Sequence, residues 1–290
     1  MIQRQWIYTD SQVSDLFPRA TLGAETASDP AHAELEKLKP PHRLELFREA
    51  RVFVELPRLM LSFPDLARQS RGDRQPIVIL PGYGAGDGST ILLQLYLRFL
   101  GYQVHGWGSG RNTGNVAELL PWILKRLISF SASSGQEVSI IGWSLGGYLG
   151  REAARERPDL VRQVITLGTP VIGGPKYTAV ARAYRRRGVD VDALAAEVES
   201  RKQTCLRTPV TAIYSRADGI VAWQACIDRA AVNVEHIEVT TTHLGFGFSA
   251  DVYKIIAQRL AENRPMDKQS MPATNSAIDW VGKEFQRHQP

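Results

Sequence analysis

An apolar run from Val138 to Trp143 ends on Ser144 and passes without interruption into Leu145-Gly146-Gly147 and a helical pattern reaching about Arg157. Few backbones accommodate that order of residues. A strand that turns sharply at one serine and continues as a helix puts that serine in a strained conformation, so Gly142 and Gly146 are needed where neighbouring chain passes too close for side chains. Ser144 Oγ is thereby held out at the carboxyl end of a sheet. The backbone N–H of Leu145, at the start of the helix, faces the place where an oxyanion would form, and the positive helix end reinforces it. The plain alternative is a tight strand-to-helix connection carrying an idle serine.

The stretch Gly142-Trp143-Ser144-Leu145-Gly146 resembles the active-site serine region of α/β-hydrolases, and of bacterial lipases and esterases in particular; Trp143 stands where many of those carry histidine, which alters the pocket wall but not the nucleophile. The resemblance spans about residues 75–262. It implies an α/β fold with a mostly parallel sheet, helices on both faces and a helical cap insertion, and it implies neither a metal nor an organic cofactor.

The chain has 290 residues, 43% hydrophobic and 22% charged, enough for a substantial core. The order of elements favours one α/β domain: residues 75–172 and 208–262 as the hydrolase-like core, 173–207 as a helical cap or lid, 1–74 as an amino-terminal arm with an amphipathic helix, and 263–290 as a tail. The net charge of +5 comes from scattered Lys and Arg without an aromatic-interleaved basic stripe, so nucleic acid is not an expected partner. Arg185-Arg186-Arg187 is the main concentration, either a solvated helix face or a contact for an anionic surface. The start of the chain lacks the charged and apolar regions of a signal peptide, which predicts a cytoplasmic or already processed protein, and no stretch approaches a membrane span.

From Leu44 to Leu66 the pattern is helical. Phe47, Ala50, Val54, Met60 and Leu61 fall on one side, expected inward, while Glu45, Arg48, Glu49, Arg51, Glu55 and Arg58 are expected to solvate the other; Pro57 and Pro64 should kink or divide the helix. Such a helix packs on its own domain or lies on a membrane. Gln75–Leu80 is a continuous apolar run suited to a strand covered on both faces. It leads into Pro81-Gly82-Tyr83-Gly84-Ala85-Gly86-Asp87-Gly88-Ser89 and a helix from Thr90 to Leu100. No Lys-Ser/Thr pair closes this glycine-rich loop, so the P-loop pattern fails. In α/β-hydrolases this loop supplies the second oxyanion donor, and the resemblance carries that role to the backbone N–H of Tyr83. Asp87 or Ser89 reads as the cap of the following helix.

A strand over Gly101–Trp107 contains His105, read as structural. The next loop carries Arg111 and Asn112, read as loop-fixing, before a helix from Val116 to Phe130. Val161–Leu167 is another strand, ending in a Gly168-Thr169-Pro170 turn that again resembles lipases leading into a cap. Helical stretches follow around Tyr177–Arg187 and Val191–Arg201, then strands over Pro209–Tyr214 and Val232–Val239, and a closing helix from about Ala250 to Ala261.

Ser144, Asp218 and His243 therefore occur in the chain order of α/β-hydrolases, each just beyond the carboxyl end of an expected parallel strand. His243 would take the Ser144 proton and Asp218 would hold the imidazole. Asp218 has a competing reading as a turn former and His243 as a core histidine; Asp228 is the reserve acid, and His236 lies inside a strand. Cys205 and Cys226 flank the acid loop. The resemblance implies a bridge between them in an oxidising compartment, with both reduced in a cytoplasmic protein. The sequence thus predicts a serine hydrolase acting on small-molecule or lipid carboxylic esters, with a membrane or lipid surface as a possible partner and oligomeric state undetermined. An acyl thioesterase or acyltransferase using the same three residues is the alternative within the enzyme class, and a non-catalytic binding protein the alternative outside it.

Overall fold

Six strands pair edge to edge, all parallel: β1 (Pro76–Leu80), β2 (Gln103–Gly106), β3 (Val138–Trp143), β4 (Val161–Leu167), β5 (Val210–Tyr214) and β6 (Val234–Glu238), in the order β2-β1-β3-β4-β5-β6. The computed structural model describes residues 38–263; the expected amino-terminal arm up to residue 37 and the tail from residue 264 lie outside the described residues. Strands β1 and β3 are buried along their whole length, which is why they read as continuous apolar runs instead of alternating ones.

Alternate residues of these strands feed two separate cores. Ile77, Ile79, Ile141 and Ile165 face α3 (Ile91–Phe99) and α8 (Ala250–Glu262), while Val78, Leu80, Ile140 and Val164 face α4 (Val116–Ser134) and α5 (Leu145–Glu156). Helix α4 runs one turn beyond the expected Phe130 and stops where Gly135 takes the left-handed conformation at φ 66°. Between β4 and β5 the chain forms the expected helical insertion, with α6 (Ala181–Arg186) and α7 (Val191–Arg201). Arg201 ties α7 to α5 through Glu152 and Glu156, both at 2.6 Å.

The segment before β1 overturns the expected orientation. A 3₁₀ helix (Arg43–Arg51) runs into α1 (Val52–Leu61) and then α2 (Phe63–Leu66). Phe47, Ala50, Val54, Met60 and Leu61 are exposed, whereas Glu49 and Glu55 are each only 6% exposed. The inner side of α1 is Glu55 and Leu59. Two buried carboxylates win over five apolar side chains because they accept hydrogen bonds from the chain beneath them, and buried N–H groups left unpaired are costly. Pro57 sits inside α1 without dividing it; the break comes at Ser62, and Pro64 lies in the first turn of α2, where its missing N–H costs no helical bond.

Both cysteines are free, the reduced one of the two alternatives the sequence left open. Exposed Cys205 precedes β5, while buried Cys226 lies at the end of the short helix that follows the acid loop.

Candidate active site

Registration of the sheet brings three loops to one edge. Trp143 pairs with Leu167 and Leu80 with Gly142, so the chain leaving β1 and the chain leaving β4 pass on either side of Ser144. Ser144 has φ 53° and ψ −119°, a strained conformation for a residue with a side chain. Its N–H donates to Leu167 O at 2.8 Å, and its own carbonyl accepts from Thr169 Oγ at 2.9 Å. A Cβ on Gly146 would stand 2.2 Å from Leu80 O, so the elbow closes only with glycine there. Leu145 is the first residue of α5, and its N–H has no intrahelical acceptor.

Beyond β5, the chain turns through Ser215 to Asp218. Asp218 Oδ1 accepts from the N–H groups of Ile220 at 2.8 Å and Val221 at 2.7 Å, which fixes the carboxylate, and Oδ2 lies 2.7 Å from His243 Nδ1. That contact makes Nδ1–H the donor and leaves Nε2 as an acceptor. Burial pulls His243 down, but Asp218, through its charge and hydrogen bond, and Glu49 behind it outweigh burial, so the imidazole lies above its ordinary value of 6.5. Among the described residues Ser144 Oγ has no hydrogen-bond partner. The carboxylate–imidazole pair is fully formed, and the backbone of Gly168 separates β4 from it so closely that a Cβ would lie 3.0 Å from both Asp218 Oδ2 and His243 Nδ1.

Tyr83 follows β1 beside the elbow, and with Ser144, Leu145, Tyr148, Tyr184 and Val198 it lines a cleft between sheet and cap. Asn112, fully buried, holds this side: its Nδ2 donates to Pro81 O at 2.9 Å and its carbonyl accepts from Gly84 N–H at 2.8 Å. The cap closes over Tyr83, whose ring centroid lies 4.9 Å from that of Tyr184 and whose hydroxyl accepts from Arg187. Of the arginine run, Arg187 thus has an internal partner.

Several expectations change. Trp143 is buried and packs on the histidine loop, its ring 6.3 Å from that of His243, and does not line the cleft. Asp87 caps no helix: its carboxylate accepts from Trp107 N–H at 2.8 Å and Gly108 N–H at 3.0 Å, bracing the loop after β2. Asp228 is paired with Arg151 and also accepts from Ala230 and Ala231 N–H, while its own N–H donates to Nε2 of His236, so both are engaged away from the Asp218–His243 pair. His105 stacks on Phe130 at 3.9 Å. Sequence reasoning missed Thr169, whose place was signalled by the Gly-Thr-Pro turn, and Glu49, which carried no signal because a charge on an amphipathic helix reads as solvated. Among the described residues no three His, Cys, Asp or Glu side chains cluster as metal ligands would.

No family model matches this sequence, and no curated protein matches it. Solved structures do. One from the work on LipS and LipT, two metagenome-derived lipolytic enzymes, is 15% identical with a TM-score of 0.52 over 68% of this chain and 96% of that one. The Bacillus licheniformis lipase BlEst2 in mature form is 16% identical with a TM-score of 0.51, covering 67% of this chain and 94% of its own. An α/β superfamily hydrolase from Oenococcus oeni PSU-1, 16% identical, reaches 0.50 over 66% of this chain and 94% of its own. The chain has the α/β-hydrolase fold.

Proposed function

We propose that this protein is a serine hydrolase that cleaves carboxylic esters through an acyl-enzyme. The observation that carries the reading is the 2.7 Å contact between Asp218 and His243 Nδ1 at the sheet edge where Ser144 stands at positive φ. A buried carboxylate that also accepts two N–H groups fixes the tautomer with Nε2 free to take a proton, which is what a weak nucleophile such as a serine hydroxyl requires.

In the proposed reaction Ser144 Oγ bonds to the ester carbonyl carbon as its proton passes to His243 Nε2. The carbonyl π pair moves onto oxygen, where the N–H groups of Tyr83 and Leu145 receive it. Collapse breaks the bond to the alkoxy oxygen, which leaves as alcohol with the proton from His243. Water repeats the sequence on the acyl-Ser144 ester and releases the acid. The apolar cleft under the cap suits the acyl or alcohol portion of a small-molecule or lipid ester.

Hydrolysis of p-nitrophenyl esters from acetyl to palmitoyl, by the natural chain and by Ser144→Ala, tests this. Loss of the nucleophile is expected to lower turnover by about 10⁴-fold or more. Equal activity in both proteins would remove Ser144 from the mechanism, and acyl transfer to CoA or an alcohol in preference to water would make the protein an acyltransferase.

A further inference from the structure

We infer that Glu49 is a positioning residue of the Ser144–His243–Asp218 centre: its carboxylate, brought in by the 3₁₀ helix before α1, ties the acid loop to the histidine loop and fixes how the imidazole is presented to the serine. The inference rests on the catalytic reading above. Glu49 Oε1 accepts from Gly219 N–H at 2.8 Å and His243 N–H at 3.1 Å, and Oε2 accepts from Leu244 N–H at 2.7 Å. One carboxylate therefore satisfies three backbone donors, one immediately after the acid and two at the base itself. Charge-assisted bonds of this kind are stronger than neutral ones.

The contact spans 170 residues of sequence to Gly219 and 194 to His243, so no local turn accounts for it. Glu49 is 6% exposed while Phe47, two residues earlier, is 78% exposed, so the helix has turned its carboxylate inward in preference to its phenyl ring. Packing on the acid loop is tight: a Cβ on Gly219 would stand 2.4 Å from Glu45 O. Glu55 repeats the pattern along α1, accepting from Thr241 Oγ at 3.0 Å in the strand-to-histidine connection. Asp218 and His243 sit on separate loops after β5 and β6, and Glu49 bonds to both loops from an element outside either.

Its charge matters as well as its reach. The groups facing His243 are Asp218 on the acid loop, Glu49 on the 3₁₀ helix and, beyond Thr241, Glu55 on α1. The Cys226 thiol lies behind Asp218 with burial pushing it well up, and Trp143 and Phe246 flank the ring without charge. Burial lowers the imidazole and the carboxylates raise it, Glu49 among them.

The full chain, Glu49→Gln and Glu49→Asp are compared by fluorophosphonate labelling of Ser144 across pH, by p-nitrophenyl ester kinetics, and by ¹⁵N NMR titration of His243. Gln keeps the size but removes the charge and turns an amide NH₂ toward an N–H donor. It is expected to slow labelling and kcat by about 10- to 100-fold with little change in KM, and to move both the acid limb and the His243 midpoint to lower pH. Asp keeps the charge but falls short, so its rate drops while the midpoint stays. A folded Glu49→Gln protein with the natural rate and midpoint overturns the inference, even if its Tm has fallen, because that is the outcome of a purely structural role. Should Glu49→Gln fail to fold, a Glu49→Asp protein of natural rate overturns it instead. If the natural chain neither labels nor turns over, yet its His243 midpoint still shifts in Glu49→Gln, the catalytic reading falls and the coupling of Glu49 to His243 stands.

Discussion

At His243 burial and charge oppose one another, and charge wins. Only the neutral imidazole accepts a proton from Ser144, so activity is expected to fall as pH drops through a midpoint above 6.5, read from the acid limb of kcat/KM. The same shift has a consequence for stability of opposite sense. A raised folded pKa favours the protonated form in the native state, so the stabilisation from the Asp218–His243 pair is full below the unfolded value of about 6.5 and fades as pH rises through the folded one. The pH of greatest activity should therefore lie above the range where this pair stabilises most, which urea titrations at several pH values would detect; a parallel rise of both quantities would refute the assignment. The thiols offer a second test. Cys205 is exposed and Cys226 is buried, its ionisation pushed well up by burial, so one equivalent of Ellman's reagent should react promptly in unreduced native protein and the second only on unfolding. Two equally fast thiols would place Cys226 wrongly. The three residues of the proposed relay were legible in the sequence because each follows a recognisable strand end. Glu49 was not, since nothing in a helical repeat distinguishes a carboxylate that meets solvent from one that meets three N–H groups.

The elements were legible where burial on both faces left unbroken apolar runs: β3 and β4 occupy the expected residues, and in the cap α7 takes its expected span while α6 is shorter than the expected Tyr177–Arg187. The elbow's geometry makes a direct prediction. Gly146→Ala places a Cβ 2.2 Å from the Leu80 carbonyl, a backbone atom that cannot rotate away, and should cost about 1–3 kcal/mol in urea unfolding together with most of the activity. An unperturbed Gly146→Ala protein would mean that β1 and the elbow stand farther apart. Orientation was less legible than extent. Amphipathic periodicity located the helical stretch around α1, but it assumes that the core offers only apolar partners. Here the chain beneath α1 and its preceding 3₁₀ helix is two loops whose N–H and hydroxyl donors find their acceptors in Glu49 and Glu55, and carboxylates suit that surface better than leucines do. In the cap, Tyr184 and Arg187 both rest on Tyr83, so Tyr184→Ala should loosen the cover on the cleft and alter KM for long acyl chains more than for acetyl, as an ester series would report.

Turning the carboxylates inward has left an apolar outer surface. Phe53, Val54, Met60 and Leu61 are between 68% and 83% exposed along one side of α1, and Phe63 of α2 meets Phe99 of α3 at 5.4 Å, extending the surface to Leu95 and Ile91. Exposed Arg48 and Arg51 border it, and the chain carries a net charge of +5. Among the described residues no helix is long and apolar enough to cross a membrane, so a lipid partner would be met by lying on its surface. An anionic lipid surface would suit such a face, its apolar side chains entering the acyl boundary while the arginines meet headgroups. Cosedimentation should then be stronger with phosphatidylglycerol vesicles than with phosphatidylcholine vesicles and weaken with salt. Phe53→Glu with Leu61→Glu should abolish it while changing unfolding stability by no more than about 0.5 kcal/mol per site, because neither side chain is packed in the core. Binding that survives the double substitution would move the contact elsewhere, and a self-association lost with the same substitutions would assign the face to a second copy. Because the other side of α1 carries Glu55 to the histidine loop, lipid bound outside would press on the element that steadies the proposed base within. Vesicles should therefore raise kcat of the natural chain on a soluble ester and leave that of the double variant unchanged.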